Sequence, residues 1–588
     1  MKVLLLHPND TFDDHRRSSQ SWGRIVDLGV SSTERGARWA EKFGCELLHL
    51  QSFRRRGQDF ARIKEVLNAG CGRLIDNQGL DWWRILSILL HEQLEMVLLI
   101  NRLSGTLSAD DEVYASRSEW PVPAIAGALG REVRSLQEAA SLRLTSRLPR
   151  YGRAIRRLSF SQIKDVLFDK YDAHYQWRGR LHRPLSPQSE PVVIVPTAYT
   201  NVSRMGAAYA RMLSEQKFLF VATRYSALAF EPPPNVTVVN LAAFAEKPTS
   251  DSETDALLAK WEIVKNELRT ISEIEALYSA GSLDRFPVLL KQGIAVREAW
   301  ARALSITDAT AVLCGDDSNP ITRIAVDLAA AKGVRTVDFH HGALDGRFLF
   351  KSLPSDVYLA KSEMEKDYLV RACRLDDAKV VVGAPHRSPG ARGDEATARR
   401  QIVFFSEPYE NNGARPAEVY AEIIPPLVDL CRSAGTRLVI KLHPFESKSE
   451  RRRGLRQLLS PQAFELVDLL TGPMPEDLAS NTWFGVTVES TAALDCAFHG
   501  VPCFLCAWLE ISAYGYVQQY SRFGIGHLLR SANEIKTIPR ILSQLPMETT
   551  VSEALWKPIS PETLRRYLEG EAPEQSASRE PAHFGMSA

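Results

Sequence analysis

Short apolar runs alternate with helical stretches along most of this 588-residue chain, and that alternation restricts it to parallel α/β sheets. In residues 1–120 the strand-like runs are KVLLLH, RIVDLGV, CELLHL and DEVYAS, with helical patterns over 58–69 and 82–103. A fresh series opens at PVVIVPT (191–197) and continues through FLFVAT, VTVVNL, TAVLCGDD, VRTVDFHHG, DVYLAKS and KVVVGAP. Its helical segments fall at 203–214, 253–279, 285–304 and 319–332. The stretch 383–400 is rich in Gly, Pro and Arg and lacks periodicity, so it reads as a linker. A second series follows: QIVFFSEP, a helix near 415–433, RLVIKLHP, FELVDLL, WFGVTVES and VPCFLC. The expected fold class is α/β, with an N-terminal α/β region at 1–185 and Rossmann-like domains at 190–390 and 398–560. Residues 570–588 form a Pro/Ser/Glu-rich tail expected to be disordered. Whether 1–185 is a separate unit or an elaboration of the first Rossmann-like domain is left open by the sequence.

Composition removes several function classes. Lys and Arg total 72 against 71 for Asp and Glu, so a general nucleic-acid role gains no support. The eight cysteines are scattered, and the one close pair, Cys503 and Cys506, lies inside the apolar run VPCFLCAW. That pair reads as core thiols rather than a zinc site, and no metal or resident cofactor is expected. MKVLLLHPND reads as a first strand rather than a signal peptide. The most membrane-like stretch, 85–100, is broken by His91, Glu92 and Glu95 and reads as a buried helix. A cytoplasmic location is expected.

Three motifs sit where apolar runs stop: His340-His341-Gly342, Lys441-Leu442-His443-Pro444, and Glu489-Ser490-Thr491 ahead of AALDCAF. Ligands of open α/β sheets bind beyond the carboxyl ends of the strands, so these motifs read as parts of one cleft. Ser490 and Thr491 open a helical run, where hydroxyls and unpaired N–H groups can hold a phosphate; a plain N-cap is the simpler alternative. Glu489 suits ribose hydroxyls. His443 can donate a hydrogen bond or proton to a departing phosphate oxygen near neutrality. Lys441 falls on the same face as His443 in a regular strand and is a weaker candidate for neutralising phosphate. Asp316 and Asp317 end another strand, although an Asp-Ser-Asn cap ahead of Pro320 is the stronger reading of them. Arg147, Arg150, Arg153 and Arg157 recur at three- and four-residue spacing, as on one helix face that can meet an anionic membrane or solvent.

This order of motifs over roughly residues 190–510 resembles GT-B-type bacterial surface-polysaccharide transferases that use cytidine-nucleotide donors: CDP-glycerol glycerophosphotransferases and the sialyl- and Kdo-type CMP-sugar transferases. The resemblance implies a GT-B-like pair of Rossmann-like domains and a metal-independent glycosyltransferase. Its donor would be a nucleotide-sugar, with a CMP-ulosonic acid favoured, and its acceptor a surface glycan or lipid-linked precursor. It further implies His341 as general base with Asp317 as its rival, and an acceptor loop around Tyr199, Asn201 and Arg204. A sugar-nucleotide epimerase of the same fold, or a silent nucleotide-sugar-binding protein, is the alternative.

Overall fold

The computed structural model describes residues 1–10, 21–30, 34–136, 188–245, 252–317, 319–341, 355–386, 401–409, 414–443, 445–472, 475, 478–510, 516–544 and 555–573. The arginine stripe at 143–157, Gly342, Pro444, Ser318, most of the linker and nearly all of the tail lie outside these residues.

The chain forms three sheets whose strands pair in parallel. The first has five strands in the order β3-β2-β1-β4-β5: β1 (Lys2–Leu6), β2 (Arg24–Asp27), β3 (Glu46–His49), β4 (Glu112–Ala115) and β5 (Arg134–Ser135). The second has seven in the order β12-β11-β10-β9-β6-β7-β8: β6 (Gln188–Thr197), β7 (Lys217–Ala222), β8 (Val236–Asn240), β9 (Thr307–Cys314), β10 (Arg335–Phe339), β11 (Val357–Ala360) and β12 (Val380–Val382). The third has six in the order β15-β14-β13-β16-β17-β18: β13 (Gln401–Phe405), β14 (Arg437–Lys441), β15 (Val467–Leu470), β16 (Thr482–Thr487), β17 (Cys503–Cys506) and β18 (His527–Leu529). The chain is therefore an α/β protein, a GT-B-like pair of Rossmann-like sheets preceded by a further α/β region. Strands such as Val357–Ala360 and Cys503–Cys506 are buried at every position, because a parallel sheet is covered on both faces. Cys503 and Cys506 are among these core residues.

Local sequence accounts for most element ends, and tertiary packing for the exceptions. The expected helix over 82–103 is three pieces: Trp82–Leu86, a tighter turn at Ser87–Leu90, and α1 (His91–Ser104). Leu94, Val97, Leu98 and Ile100 of α1 are buried, so the membrane-like stretch is core. Among the described residues no helix is long and apolar enough to cross a membrane. In the second sheet's unit, α2 (Thr200–Met212), α3 (Phe286–Ile306) and α4 (Pro320–Ala331) cover the strands. In the third, α5 (Pro416–Ala434) carries Pro425 and Pro426 in its interior. Two prolines there remove two helical donors; the helix nevertheless holds, with Ile423, Ile424, Leu427 and Val428 in the core on either side of them.

The N-terminal region has its own sheet, with Val3, Leu5 and Val113 packed on one face and Leu4, Leu6 and Ile25 on the other, and it also shares a core with the second unit. Its Trp82, Trp83 and α1 residues share one hydrophobic cluster with Trp261, Phe286 and Trp300 of the second unit. Trp82 lies so close to α3 that a Cβ on Gly293 would stand 2.2 Å from its ring, so that position must be glycine. Arg297 of α3, fully buried, reaches Asp76 at 2.7 Å and Glu253 at 2.6 Å. On the other side, Arg415 just ahead of α5 enters the carboxyl end of the first sheet. Its guanidinium donates to the carbonyls of Asp10 (2.9 Å), Leu6 (3.2 Å) and His7 (2.9 Å) and pairs with Asp27 at 2.7 Å. Burial disfavours its charge, and the pull of Asp27 outweighs that, holding its pKa above the usual arginine value.

The second and third units meet through Met364, Tyr368 and Leu369 against Phe405, Cys496 and Tyr520. The chain then returns to the second unit. Trp556 donates to the Pro385 carbonyl at 2.9 Å, and Leu564 and Leu568 of α7 (Pro561–Leu568) pack with Val337 and Phe339 of β10, with α6 (Ala492–Phe498) preceding β17 in the third unit.

Removing one partner of a buried ion pair costs about 3–5 kcal/mol, because the other charge is stranded. Arg415→Ala is expected to lower unfolding free energy on that scale, and Arg415→Lys to recover little, since one ammonium cannot serve three carbonyls and a carboxylate. Denaturant unfolding reads both; a loss under about 1 kcal/mol for Arg415→Ala would show that the contact between these units rests on other groups.

Candidate functional site

Strand order locates the ligand crevice of each Rossmann-like sheet before any side chain is considered. The order reverses between β6 and β9 in the second sheet and between β13 and β16 in the third, and ligands bind beyond the strand ends at such points.

At the second sheet, β9 leaves through Gly315, Asp316 and Asp317 into α4. Asn319 caps α4, its side chain accepting from the Ile321 N–H at 3.0 Å, and Pro320 takes the first helical position. Asp316 and Asp317 are buried, with the Asp316 carbonyl accepting from Thr322. Gly315 is required here, because a Cβ would lie 2.4 Å from the Phe339 ring. That close approach lets the Gly315 carbonyl meet His341 Nδ1 at 2.9 Å. A carbonyl only accepts, so Nδ1 carries the proton and the neutral ring keeps its lone pair on Nε2. His341 is half-buried, whereas His340 is buried and its carbonyl accepts from Lys361 at 3.2 Å.

At the expected acceptor loop, Tyr199 immediately precedes α2, and Asn201 and Arg204 are exposed on that helix's first turn. The basic residue that meets Tyr199 is Arg224, which donates to its hydroxyl at 3.1 Å and lies 5.2 Å from its ring centroid. Sequence reading passed over Arg224, although a basic residue just past the run FLFVAT was the available signal.

At the third sheet, His443 follows β14. Its Nδ1 accepts from the Phe445 N–H at 3.2 Å, which places the proton of the neutral ring on Nε2. The two histidines are thus held in opposite tautomers, assigned from these hydrogen bonds. The His443 N–H in turn donates to Glu446 at 2.8 Å. Lys441 departs from expectation. Its ammonium is drawn to the carbonyls of Leu442 (3.0 Å) and Gly472 (2.8 Å), and burial lowers its pKa. It closes the strand end rather than presenting charge beside His443.

Glu489, Ser490 and Thr491 lie between β16 and α6, half-buried. Ser490 Oγ accepts from the Ala492 N–H at 3.3 Å, while Thr491, which holds the capping position, makes no side-chain cap bond. The helix behind them spans only seven residues, so its dipole adds less than a long helix would. Beneath this loop lies a residue the motif search did not single out. Glu407, just past β13, accepts from Thr487 Oγ1 at 3.2 Å and from the Glu489 N–H at 2.7 Å. Burial, with Glu446 close by, pushes its carboxyl up to about 7. Glu446 is likewise raised by burial, despite Arg451 at 2.8 Å. The only sequence signal for Glu407 was an acid two residues past the apolar run QIVFF, and nothing in that spacing reveals its partner eighty residues away.

The structure therefore brings His341 to the Gly315–Asp317 loop, and Glu489 and Ser490 to Glu407. It joins Tyr199 to Arg224 and separates Lys441 from the set. Among the described residues, no group of three or more His, Cys, Asp or Glu side chains is arranged to hold a metal. A groove of about 1180 Å³ runs along α5 past Glu418, Pro425 and Arg451 and holds none of the residues named as candidates from sequence.

No known family model matches the chain, and no curated protein does either. Among solved structures, UDP-GlcNAc 2-epimerase from Neisseria meningitidis bound to UDP-GlcNAc aligns at TM-score 0.42 and 11% identity, over 64% of this chain and 99% of that one. The S. aureus MnaA–UDP structure aligns at TM-score 0.42 and 11% identity, over 65% of this chain and 96% of that one. A ugt transferase from Siraitia grosvenorii in complex with UDP aligns at 0.40 and 13%, over 65% of this chain and 99% of that one. At these scores the fold assignment rests on the chain's own strand order.

Lys441→Met deletes the hydrogen bonds to the Leu442 and Gly472 carbonyls, at about 0.5–1.5 kcal/mol each. The expected result is a lower melting temperature with ligand-induced stabilisation unchanged, read by thermal shift with and without nucleotide. Loss of the ligand shift alone would return Lys441 to the donor site.

Proposed function

We propose that this protein is a metal-independent glycosyltransferase. It moves a sugar from a cytidine-activated donor, a CMP-ulosonic acid in the favoured case, to a surface polysaccharide or its lipid-linked precursor. The observation that carries the reading is the opposed tautomers of His341 and His443, each at the carboxyl end of a different Rossmann-like sheet. A transfer reaction needs a base for the acceptor and a donor for the leaving group, and these rings supply one of each. His341 Nε2 takes the proton of the acceptor hydroxyl as its oxygen bonds to the anomeric carbon. The bond from that carbon to the phosphate oxygen breaks, and His443 Nε2–H donates to the departing oxygen. Ser490 and Thr491 add hydroxyl donors to the phosphate, and Glu489 meets the ribose. Asp317, buried at the end of β9, is the weaker candidate for base. Tyr199 with Arg224, Asn201 and Arg204 form the acceptor side. The cytidine preference rests on the order of the three motifs, and the contact with an anionic membrane on Arg147, Arg150, Arg153 and Arg157.

CMP or CDP is expected to raise the melting temperature more than UDP or GDP; at 100 times Kd the gain is about 2.7 kcal/mol. Stronger stabilisation by UDP would instead make this a UDP-sugar enzyme. Conversion of a sugar nucleotide without acceptor would make it an epimerase, and binding without turnover a silent binding protein.

Loss of general acid or base help costs about 10²–10⁴-fold in rate. His443→Ala and His341→Ala are each expected to lower kcat on that scale with nucleotide binding and melting temperature kept. Normal turnover in either variant removes that histidine from the chemistry.

A further inference from the structure

Glu407 sits where the third sheet reverses, and it occupies groups that an anionic ligand needs. Its carboxylate accepts from the Glu489 N–H at 2.7 Å and lies 3.2 Å from Thr487 Oγ1, which bonds the Phe405 carbonyl at 3.0 Å and accepts from the Ser490 N–H at 3.2 Å. These donors belong to the loop at which the nucleotide reading sets the phosphate. Backbone N–H groups at a strand-end turn are the usual partners of a bound phosphate, and here an internal carboxylate already holds the one at Glu489.

We propose that Glu407 is a positioning residue standing in for the nucleotide phosphate: it fills the loop's donors in the empty protein and yields them, protonated, when a phosphate enters. The inference rests on the nucleotide reading above. Phosphate and carboxylate compete for the same donors and repel one another, so the ligand favours the neutral acid and binding takes up a proton.

The surroundings set the sign and the pH range. Facing Glu407 are Glu446 from the loop after β14, Tyr409 on its own loop, Cys506 of β17, and Thr487 with Glu489 after β16. Arg451 is bonded to Glu446, and Ser406 bridges Glu446 to Tyr420. Of the cations near this pair, Arg451 is committed to Glu446, and Lys441, which also feels Glu446, is bonded to the Leu442 and Gly472 carbonyls, so the donors to Glu407 are neutral. Its carboxyl ionises at about 7. Affinity for a phosphodiester is then full below that pH and falls as the pH rises through it.

The test uses UDP-N-acetylglucosamine and CMP-sialic acid, whose phosphodiester groups do not titrate in this range, with affinities measured by calorimetry between about pH 6 and pH 8.5. Linkage to one carboxyl ionising near 7 predicts a loss of affinity of up to about 30-fold across that interval. Glu407→Gln keeps an acceptor for the Glu489 N–H without the charge, and its binding is expected to be flat with pH. In wild-type protein near pH 8, heats in two buffers of different ionisation enthalpy should report uptake of about one proton, a readout independent of whether the variant folds. A pH-independent wild-type affinity, no proton uptake, or a slope that persists in Glu407→Gln overturns the role of Glu407 while leaving the nucleotide site intact. Failure of both sugar nucleotides to bind at any pH overturns the nucleotide reading, and this inference with it.

Discussion

The arrangement depends on two buried arginines that tie the N-terminal region to both Rossmann-like units. Arg297 binds Asp76 from the second unit, and Arg415 binds Asp27 and three strand-end carbonyls from the third. Each guanidinium is planar and carries five donors, so it can satisfy several acceptors in a dry space where an ammonium could not. Leaving either unmatched would strand a charge in the interior. The N-terminal region is therefore a strap across two units.

At the two crevices, the hydrogen bond made by Nδ1 sets the tautomer of each histidine. His341 and His443 have the same side chain, yet one gives its Nδ1 proton to a carbonyl and the other accepts a backbone N–H there. The difference arises from the turns: Gly315 brings a carbonyl up to the first ring, while the second ring folds back on its own chain at Phe445. Beside His443 lies Glu446, and near Glu446 lies Glu407; burial raises the pKa of both carboxyls.

Much of this was legible beforehand. Runs such as PVVIVPT, RLVIKLHP and VPCFLC are apolar on both faces, and only a covered parallel sheet accepts them, so strands, class and the placing of His341, His443 and Ser490 at strand ends followed from local pattern. Asn319 and Pro320 announced the start of α4 as a cap and first-turn pair. The short strands β5 and β18 were not seen, since two or three residues leave too little pattern to detect. Lys441 misled, because alternation puts it on the face of His443, while the carbonyl at Gly472 that captures its ammonium comes from a neighbouring strand's loop.

The sequence by itself determined the layered α/β class, the two Rossmann-like series, the buried nature of the stretch 85–100, and which residue types stand at strand ends. These are consequences of periodicity and of local turn chemistry, which act over a few residues. Only the tertiary structure decided the shared core of the N-terminal region, the pairing of Tyr199 with Arg224, the tautomers of the two histidines and the presence of Glu407 under the loop at Glu489. Each of those is a contact between segments tens to hundreds of residues apart, or a hydrogen-bond direction fixed by how a turn closes, and spacing along the chain carries no record of either.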